Sequence, residues 1–286
     1  MRLLDLIERC SARLQQAGVS FGHGTTNAFD EAVWLALWRL GLPLDDLDGV
    51  AQMELAPAQQ AAVEALIEQR IATRKPAAYL TGEAWLQGLP FHVDERVIVP
   101  RSLIAEPLAE GVLDACMGQE PRRVLDLCTG NGSLAVLAAL AWPEARVDAT
   151  DLSPAALAVA RLNVERHALA ARIRLRQGNG LAAAEGRYDL ILCNPPYVNT
   201  QSMEQLPPEY RAEPELALAG GADGMDFVRQ LLAEAAAYLE PQGVLVLEIG
   251  HERVHFEAAF AQLQPLWLET SAGNDQVLLL RREQLA

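Results

Sequence analysis

VLDLCTGNGSLAV, Val124–Val136, has the pattern of a buried strand, a tight glycine turn and the start of a helix. An open α/β sheet binds its ligand at a turn of this kind. Gly130 and Gly132 would let the backbone approach a ligand closely, because glycine has no Cβ. We therefore expect a binding site at this turn.

Predicted strands alternate with predicted helices around this stretch, and a further helix is predicted from Leu103 to Met117. Helical patterns separate the first five strands, which implies right-handed crossovers and a parallel, doubly wound sheet. The sequence therefore predicts an α/β fold with a Rossmann-like, seven-stranded sheet. The strand candidates are Arg123–Cys128, Arg146–Thr150, Arg172–Gln177, Tyr188–Cys193, Gly243–Ile249, Leu266–Thr270 and Gln276–Leu280.

The first hundred residues differ from the rest, since apolar residues recur there at helical spacing in three segments. A hairpin is predicted between Tyr79 and Pro100, with its turn at Gly88–Pro90. We predict a small helical domain at 1–77, a β-hairpin linker at 78–102 and an α/β domain at 103–286. The three helices are bounded by Leu3 and Gly18, by Asn27 and Gly41, and by Pro57 and Pro76.

Composition limits the classes of protein. The 286 residues carry a formal net charge of −15, which repels nucleic-acid phosphates and suits a basic protein partner. No apolar run approaches the roughly 18–20 residues that span a bilayer, and MRLLDLIERCSARL at the N-terminus lacks the unbroken apolar segment of a secretory signal. The cysteines have no CxxC spacing and the histidines do not cluster. We predict a cytoplasmic protein without a metal, a membrane or a direct nucleic-acid partner.

A carboxylate inside the first apolar strand, Asp126, bears on the identity of the ligand. The glycine turn followed by Asp151 also fits the loose dinucleotide fingerprint, and a plain turn with Asp151 capping the next helix is a further interpretation. Burying Asp126 is costly unless it meets a hydrogen-bonding or cationic partner. A methyl donor with a cationic amino-acid tail meets that need, so the ligand implied is S-adenosyl-L-methionine. Asp151 would then bind its ribose, and Asn179 would accept from its adenine amino group.

LILCNPPYVN, Leu190–Asn199, interrupts an apolar run with an amide, two prolines and an aromatic ring. Each proline removes a ladder hydrogen bond and fixes φ, so the chain must leave the sheet in one rigid shape at Asn194–Tyr197. A stiff turn is one interpretation. The other is a site that holds polar atoms still around a ligand.

NPPY at Asn194–Tyr197, with LDLCTGNG and Asp151, resembles the amino-methyltransferases that modify a planar nitrogen. The resemblance implies the class I methyltransferase fold and a catalytic motif of Asn194, Pro195, Pro196 and Tyr197. The Asn194 side-chain oxygen and the Pro195 carbonyl would accept the two hydrogens of the target NH2, and Tyr197 would pack against the target plane. Catalysis would then come from positioning and polarisation of the nitrogen.

Longer segments, Tyr79–Ser102 and Glu209–Leu232, resemble the protein-(glutamine-N5) methyltransferase family. Gly22–Asp45, EAW at Glu83–Trp85 and PRSLIAE at Pro100–Glu106 resemble the branch acting on large-subunit ribosomal protein three more than the branch acting on peptide release factors. The resemblance implies that the helical domain recognises this basic protein and that 103–286 binds the cofactor and methylates a glutamine. The net charge of −15 predicts that recognition takes place before the basic protein is assembled with rRNA. Release-factor methylation, nucleic-acid adenine methylation and a non-catalytic ribosome-assembly binding protein are the alternatives.

The resemblance also implies which residues meet each ligand. Two positions depart from the family, because Cys128 stands where many relatives carry glycine and Asn179 replaces a usual aspartate. An amide oxygen still accepts from adenine, but without charge, which predicts somewhat weaker cofactor binding. The substrate residues implied are Pro100, Arg101, Asn194, Pro195 and Tyr197. The cofactor residues implied are Asp126, Cys128, Thr129, Gly130, Asn131, Gly132, Asp151, Leu152, Asn179, Gly180 and Asn194.

Overall fold

The computed structural model describes residues 1–285, and the chain divides into two compact units. Unit one is Met1–Ala84 together with Leu206–Ala212, and unit two is Trp85–Gln205 with the chain from Glu213 onward. The sequence pattern placed boundaries at 77 and 102 and did not anticipate that a distant segment, Leu206–Ala212, belongs with the helical unit.

The helices and strands of residues 1–285 have the following bounds. The helices are α1 (Leu3–Gln16), α2 (Ala28–Leu40), α3 (Leu47–Val50), α4 (Pro57–Thr73), α5 (Ala77–Thr81), α6 (Ala105–Ala109), α7 (Val112–Met117), α8 (Ser133–Ala141), α9 (Pro154–Arg166), α10 (Thr200–Gln205), α11 (Pro208–Arg211), α12 (Asp226–Tyr238) and α13 (Arg253–Ala259). The strands are β1 (Glu83–Leu86), β2 (Leu89–His92), β3 (Arg123–Leu127), β4 (Arg146–Asp151), β5 (Ile173–Gln177), β6 (Tyr188–Cys193), β7 (Leu239–Glu248), β8 (Leu266–Thr270) and β9 (Gly273–Arg281). Short 3-10 helices cover Gly180–Ala183, Glu215–Ala217 and Arg282–Gln284.

Unit one confirms the three predicted helices as α1, α2 and α4. The side chain of Asn27 caps α2 by accepting from the Asp30 amide at 2.9 Å, and Gly41 ends it with φ +67°. Apolar residues of the three helices share one core, in which Leu6, Leu35 and Ile67 are fully buried. The segments α3, α5 and α11 have four or five residues each, which is too short for a helical period to show in the sequence.

Unit two contains the predicted sheet, with strand order β5-β4-β3-β6-β7-β9-β8. Strands β3 to β7 run parallel, and β9 runs antiparallel to both β7 and β8. Alternate residues of each strand enter different cores, so Val124 packs under α8 and α9 while Leu125 packs under α12 and α13. Helices on both faces confirm the predicted doubly wound α/β fold.

Two local predictions were wrong. The helix predicted from Leu103 to Met117 is two helices, α6 and α7, because Gly111 adopts φ +73° between them. The hairpin turns at Gln87 and Gly88, with φ of 49° and 72°, and Leu89 already belongs to β2. The turn therefore consists of two residues and lies one residue earlier than predicted. Positive φ at both residues suits a two-residue turn, because it matches the right-handed twist of the strands. No helix within residues 1–285 is long and apolar enough to cross a membrane.

Candidate active site

A cavity of unit two lies at the carboxyl ends of β3, β4, β5 and β6 and opens to solvent. Its walls include the turns after these strands, at Cys128, Asp151, Asn179 and Asn194. Parallel strands bring their carboxyl ends to one edge of the sheet, which is where open α/β sheets bind ligands. The turns singled out in the sequence therefore meet around one cavity.

Most of the residues predicted to bind the cofactor line this cavity. Asp126 and Gly132 are not among the lining residues and belong to the strand and turn that form the wall. Asp126 is 1 % exposed, and a Cβ added to Gly132 would come within 3.2 Å of the Ala160 Cβ. The predicted residues in the wall are Cys128, Thr129, Gly130, Asn131, Asp151, Leu152, Asn179, Gly180 and Asn194.

The buried carboxylate of Asp126 has one oxygen with two partners and one without. Its Oδ2 accepts from the Thr129 hydroxyl and, at 3.0 Å, from the Ala135 amide. Among the described residues, its Oδ1 and the Asn131 Nδ2 are buried without a hydrogen-bond partner. Burial raises the pKa of Asp126 from 3.8 to about 7, against the lowering effect of the Thr129 and Ala135 hydrogen bonds. One acceptor and one donor behind the glycine turn are therefore left for a polar ligand group.

The raised pKa of Asp126 predicts a pH-dependent stability. The folded chain keeps a proton on Asp126 that the unfolded chain loses between about pH 4 and about pH 7, so its free energy of unfolding falls as the pH rises through that window. Asp126→Asn cannot ionise and keeps an oxygen for Thr129 and Ala135. Urea unfolding without cofactor should show the variant gaining stability relative to the parent from about pH 4 to about pH 7 and levelling above it. A difference in the free energy of unfolding between variant and parent that stays constant with pH would contradict the raised pKa of Asp126.

Asp151 joins the first two turns of the cavity. Its Oδ2 accepts from the Gly130 amide at 2.9 Å, and its Oδ1 accepts from the Ser153 amide at 2.8 Å. Burial raises the pKa of Asp151, whereas these hydrogen bonds lower it. The cap of α9 is Ser153, whose own side chain accepts from the Ala156 amide at 3.1 Å. Helix capping alone therefore does not explain the carboxylate, which leaves its remaining lone pairs for a ligand.

The backbone of the glycine turn explains why glycine would suit the position of Cys128. Cys128 adopts φ +60°, and Gly130 adopts φ +56°. A left-handed conformation costs a residue with a Cβ about 1–2 kcal/mol, which this chain bears at Cys128. A Cβ added to Gly130 would meet no heavy atom within 4 Å, so the turn leaves open space beside its backbone.

The far end of the cavity has apolar walls that the sequence interpretation only partly identified. Leu152 is 47 % exposed although it is a large apolar residue, and it lines the cavity with Asn179. Phe227, on α12, was not singled out, yet its ring lies 3.8 Å from the position of a Cβ on Gly180. Apolar side chains of this kind suit a flat aromatic base, and Asn179 adds an amide to the same wall.

The Asn194–Tyr197 motif leaves the sheet directly after β6, as predicted. Asn194 and Pro196 line the cavity, and Pro195 is buried. The Tyr197 hydroxyl donates to Glu248 at 3.1 Å. A Cβ added to Gly220 would lie 2.7 Å from the Tyr197 Cα, so glycine is required for the chain to pass this close. The motif is held rigidly at the cavity edge.

Of the other predicted substrate residues, Pro100 and Arg101 line the cavity, whereas Pro195 and Tyr197 do not. The Arg101 guanidinium donates to both oxygens of Glu213, at 2.6 and 2.7 Å, and Glu213 also accepts from the Val99 amide at 2.8 Å. Glu213 was not identified from the sequence, because it lies 112 residues from Arg101. The positive charge predicted to face the substrate is therefore compensated by a buried carboxylate.

No group of three histidine, cysteine, aspartate or glutamate residues that could hold a metal ion occurs within residues 1–285. The site consists of hydrogen-bond acceptors, a glycine turn and apolar walls.

A seven-stranded doubly wound sheet, with a glycine turn and an Asn-Pro-Pro-Tyr motif at one edge, defines a methyltransferase. The Methyltransferase small domain family model matches residues 109–206, and the PrmC N-terminal domain model matches residues 5–82. The solved structure of a methyltransferase from Pyrococcus furiosus, 20 % identical, superposes with a TM-score of 0.50 over 77 % of this chain and 97 % of that chain, which shows the shared fold.

Curated relatives identify the family within this class. The chain is 58 % identical to the ribosomal protein uL3 glutamine methyltransferase of Bordetella pertussis, over 99 % of this chain and 96 % of the relative. It is 52 % identical to the protein of the same name from Burkholderia pseudomallei, over 98 % and 94 % of the two chains. The chain belongs to the family of ribosomal protein uL3 glutamine methyltransferases, which confirms the resemblance found in the sequence.

Proposed function

We propose that this protein transfers a methyl group from S-adenosyl-L-methionine to the side-chain amide nitrogen of a glutamine in ribosomal protein uL3, in the cytoplasm. The observation that carries the proposal is the 58 % identity to a relative of that name over 99 % of the chain, so both units are shared. The intact Asn194–Tyr197 motif at the cavity edge supports turnover over a purely binding role.

The cavity walls fit the proposed cofactor. Asp151 offers carboxylate lone pairs to ribose hydroxyls, and Asn179 offers an amide oxygen to the adenine amino group. Leu152 and Phe227 supply apolar contact for the base. The buried Asp126, with an oxygen that no described protein group satisfies, suits the cationic amino-acid tail through the glycine turn. S-adenosyl-L-methionine supplies an electrophilic methyl group when it is bound.

The chain's own residues would prepare the target nitrogen. The Asn194 side-chain oxygen and the Pro195 carbonyl accept its two hydrogens, and the Tyr197 ring packs against its plane. An amide nitrogen is a weak nucleophile because its lone pair is delocalised into the carbonyl. Holding both hydrogens to one side directs that lone pair at the methyl carbon, so no strong base is needed. The nitrogen would lose one of its two protons to solvent once the methyl group is transferred, and the sulfur that gave up the methyl group would keep the bonding electron pair and leave as a neutral thioether.

The test is a methylation assay with purified protein, labelled S-adenosyl-L-methionine and either free uL3 or a peptide release factor. Peptide mass mapping should locate one added methyl group on a glutamine of uL3. Methylation of the release factor alone would favour the release-factor branch. Labelling of neither protein would contradict the proposal.

Unit one is proposed to select the protein substrate. Because unit one consists of two separate segments of the chain, an exchange that tests this must take both segments into account. Glu209 is fully buried and pairs with Arg70 at 3.1 Å and with Arg74 at 2.6 Å, both on or next to α4. Its Oε1 also accepts from the Ser20 amide at 3.1 Å. The segment Leu206–Ala212 is thus bound into unit one by a buried carboxylate, and breaking a buried ion pair costs roughly 3–5 kcal/mol.

An exchange of unit one should therefore include both of its segments. A chimera that takes residues 1–84 and 206–212 from a release-factor glutamine methyltransferase is expected to lose activity on uL3 and gain it on release factor, measured as kcat/KM on each. The control chimera exchanges 1–84 alone and is expected to unfold at lower urea concentration. Unaltered preference in the two-segment chimera would place recognition in unit two.

A further inference from the structure

Glu248 is a buried acid beside the catalytic motif that no feature of the sequence singled out. It ends β7, whose Leu247 pairs with Cys193 of β6, so parallel register places Glu248 next to Asn194. The residue is only 3 % exposed. A carboxylate in such a place is costly unless its oxygens are satisfied.

The two oxygens of Glu248 join the Asn194–Tyr197 motif to the cavity wall. Its Oε1 accepts from the Tyr197 hydroxyl at 3.1 Å. Its Oε2 accepts from the Ser102 hydroxyl at 2.6 Å and from the Leu103 amide at 2.9 Å. Ser102 follows Pro100 and Arg101 in the cavity wall. One side chain therefore ties the motif tyrosine to the loop that contributes Ser102 to the cavity wall.

The ring of Tyr197 is also restrained by a second contact, with the backbone of Gly250. A Cβ added to Gly250 would lie 2.5 Å from the ring, so the ring rests directly on the Gly250 backbone. Gly250 adopts φ +52°, a conformation that a larger residue would strain. Contact with Gly250 defines the plane of the ring, and the hydrogen bond to Glu248 defines where the hydroxyl points.

The pKa of Glu248 reflects its surroundings. Burial raises the pKa of the Glu248 carboxyl, whereas the hydrogen bonds from Ser102 and Tyr197 lower it. The groups that donate hydrogen bonds to Glu248 are neutral hydroxyls and a backbone amide. Buried groups with shifted pKa values cluster at functional sites, where their cost is offset by the geometry they impose.

We propose that Glu248 is a positioning residue for methyl transfer, which holds the Tyr197 ring against the target amide and ties it to the Ser102–Leu103 loop. The inference rests on the proposed function. Glu248 acts through Tyr197, so it sets the orientation of the target and does not contact the cofactor. Its loss should reduce the rate of transfer with little effect on cofactor affinity.

A double-mutant cycle tests this. Glu248→Gln and Tyr197→Phe are each expected to lower kcat on uL3 by roughly 10- to 100-fold, as a small misplacement of a reacting group does, while KM for the cofactor stays within about twofold. The double variant should be no slower than the slower single variant, because both changes remove one interaction. Losses that multiply, or a parental kcat in Glu248→Gln, would overturn the proposal.

Unit two offers a matched control pair outside the cavity. Tyr188 donates its hydroxyl to Asp148 at 2.9 Å, so Tyr188→Phe and Asp148→Asn make the same chemical changes. They are expected to lower the Tm and to leave kcat within about twofold of the parent. A similar loss of kcat in this pair would show that the Glu248 effect is general destabilisation and would overturn the proposal.

Failure of the proposed function gives a different result, since the parental protein would then methylate no glutamine in the assay. The same cycle is therefore also measured on the free energy of unfolding. A non-additive loss for Glu248→Gln and Tyr197→Phe supports the tie between the two side chains without reference to activity, and an additive loss overturns it.

Discussion

Asn194→Ala is expected to lower the rate of methyl transfer to uL3 by roughly 100- to 1000-fold, the size of effect that follows loss of one preorganised polar group in an active site. The Asn194 side-chain oxygen is assigned to the target amide, so alanine leaves one amide hydrogen unheld and the lone pair misdirected. Affinity for S-adenosyl-L-methionine, measured by calorimetry, should largely survive. The transfer rate is measured by mass spectrometry of uL3.

Two further variants make this result specific. Asp151→Ala should show the reverse pattern and weaken cofactor binding by roughly 1.5–3 kcal/mol for each hydrogen bond lost from the carboxylate. Asn199→Ala is the matched control, because Asn199 holds Glu252 and the Ser202 amide and does not line the cavity. Its transfer rate should stay close to that of the parent. A parental rate in Asn194→Ala would refute the role given to the motif.

The sheet and the position of the site were predictable because the signals are local. Apolar runs, the glycine turn after β3 and the prolines after β6 each act within a few residues. Parallel pairing then brings the ends of β3, β4 and β6 to one edge without further information. The positions of Cys128, Asp151 and Asn194 directly after predicted strands were therefore enough to predict that these three turns lie together.

The interactions that the sequence did not reveal are those between distant residues. Glu209 meets Arg70 across 139 positions, and Glu248 meets Ser102 across 146. The sequence alone does not distinguish a buried glutamate from an exposed one, because the hydrogen-bond donors that reach its carboxylate come from distant parts of the folded chain. Gly111 shows the same limit at short range, because a glycine within a helical pattern either remains helical or breaks the helix according to its neighbours.

Chain charge bears on when methylation takes place. The protein has a formal net charge of −15, whereas ribosomal proteins are typically basic and cover rRNA in the finished subunit. Phosphates around an assembled substrate would repel this enzyme, and the free protein would attract it. We therefore expect purified uL3 to be methylated readily and mature large subunits to be methylated poorly or not at all, when both are incubated with enzyme and labelled cofactor.

Burial of the target glutamine in the subunit would produce the same preference without any effect of charge, so a salt series is the deciding measurement. Raising salt from about 0.01 M to about 0.15 M shortens the Debye length from about 30 Å to about 8 Å, which screens long-range attraction. On free uL3, kcat/KM should fall over this range, because electrostatic attraction raises the encounter rate by roughly tenfold or more. A short uncharged peptide around the target glutamine is the control, and its kcat/KM should change little. Efficient methylation of intact subunits, or a salt-independent kcat/KM on free uL3, would contradict this electrostatic account and leave the methyltransferase assignment in place.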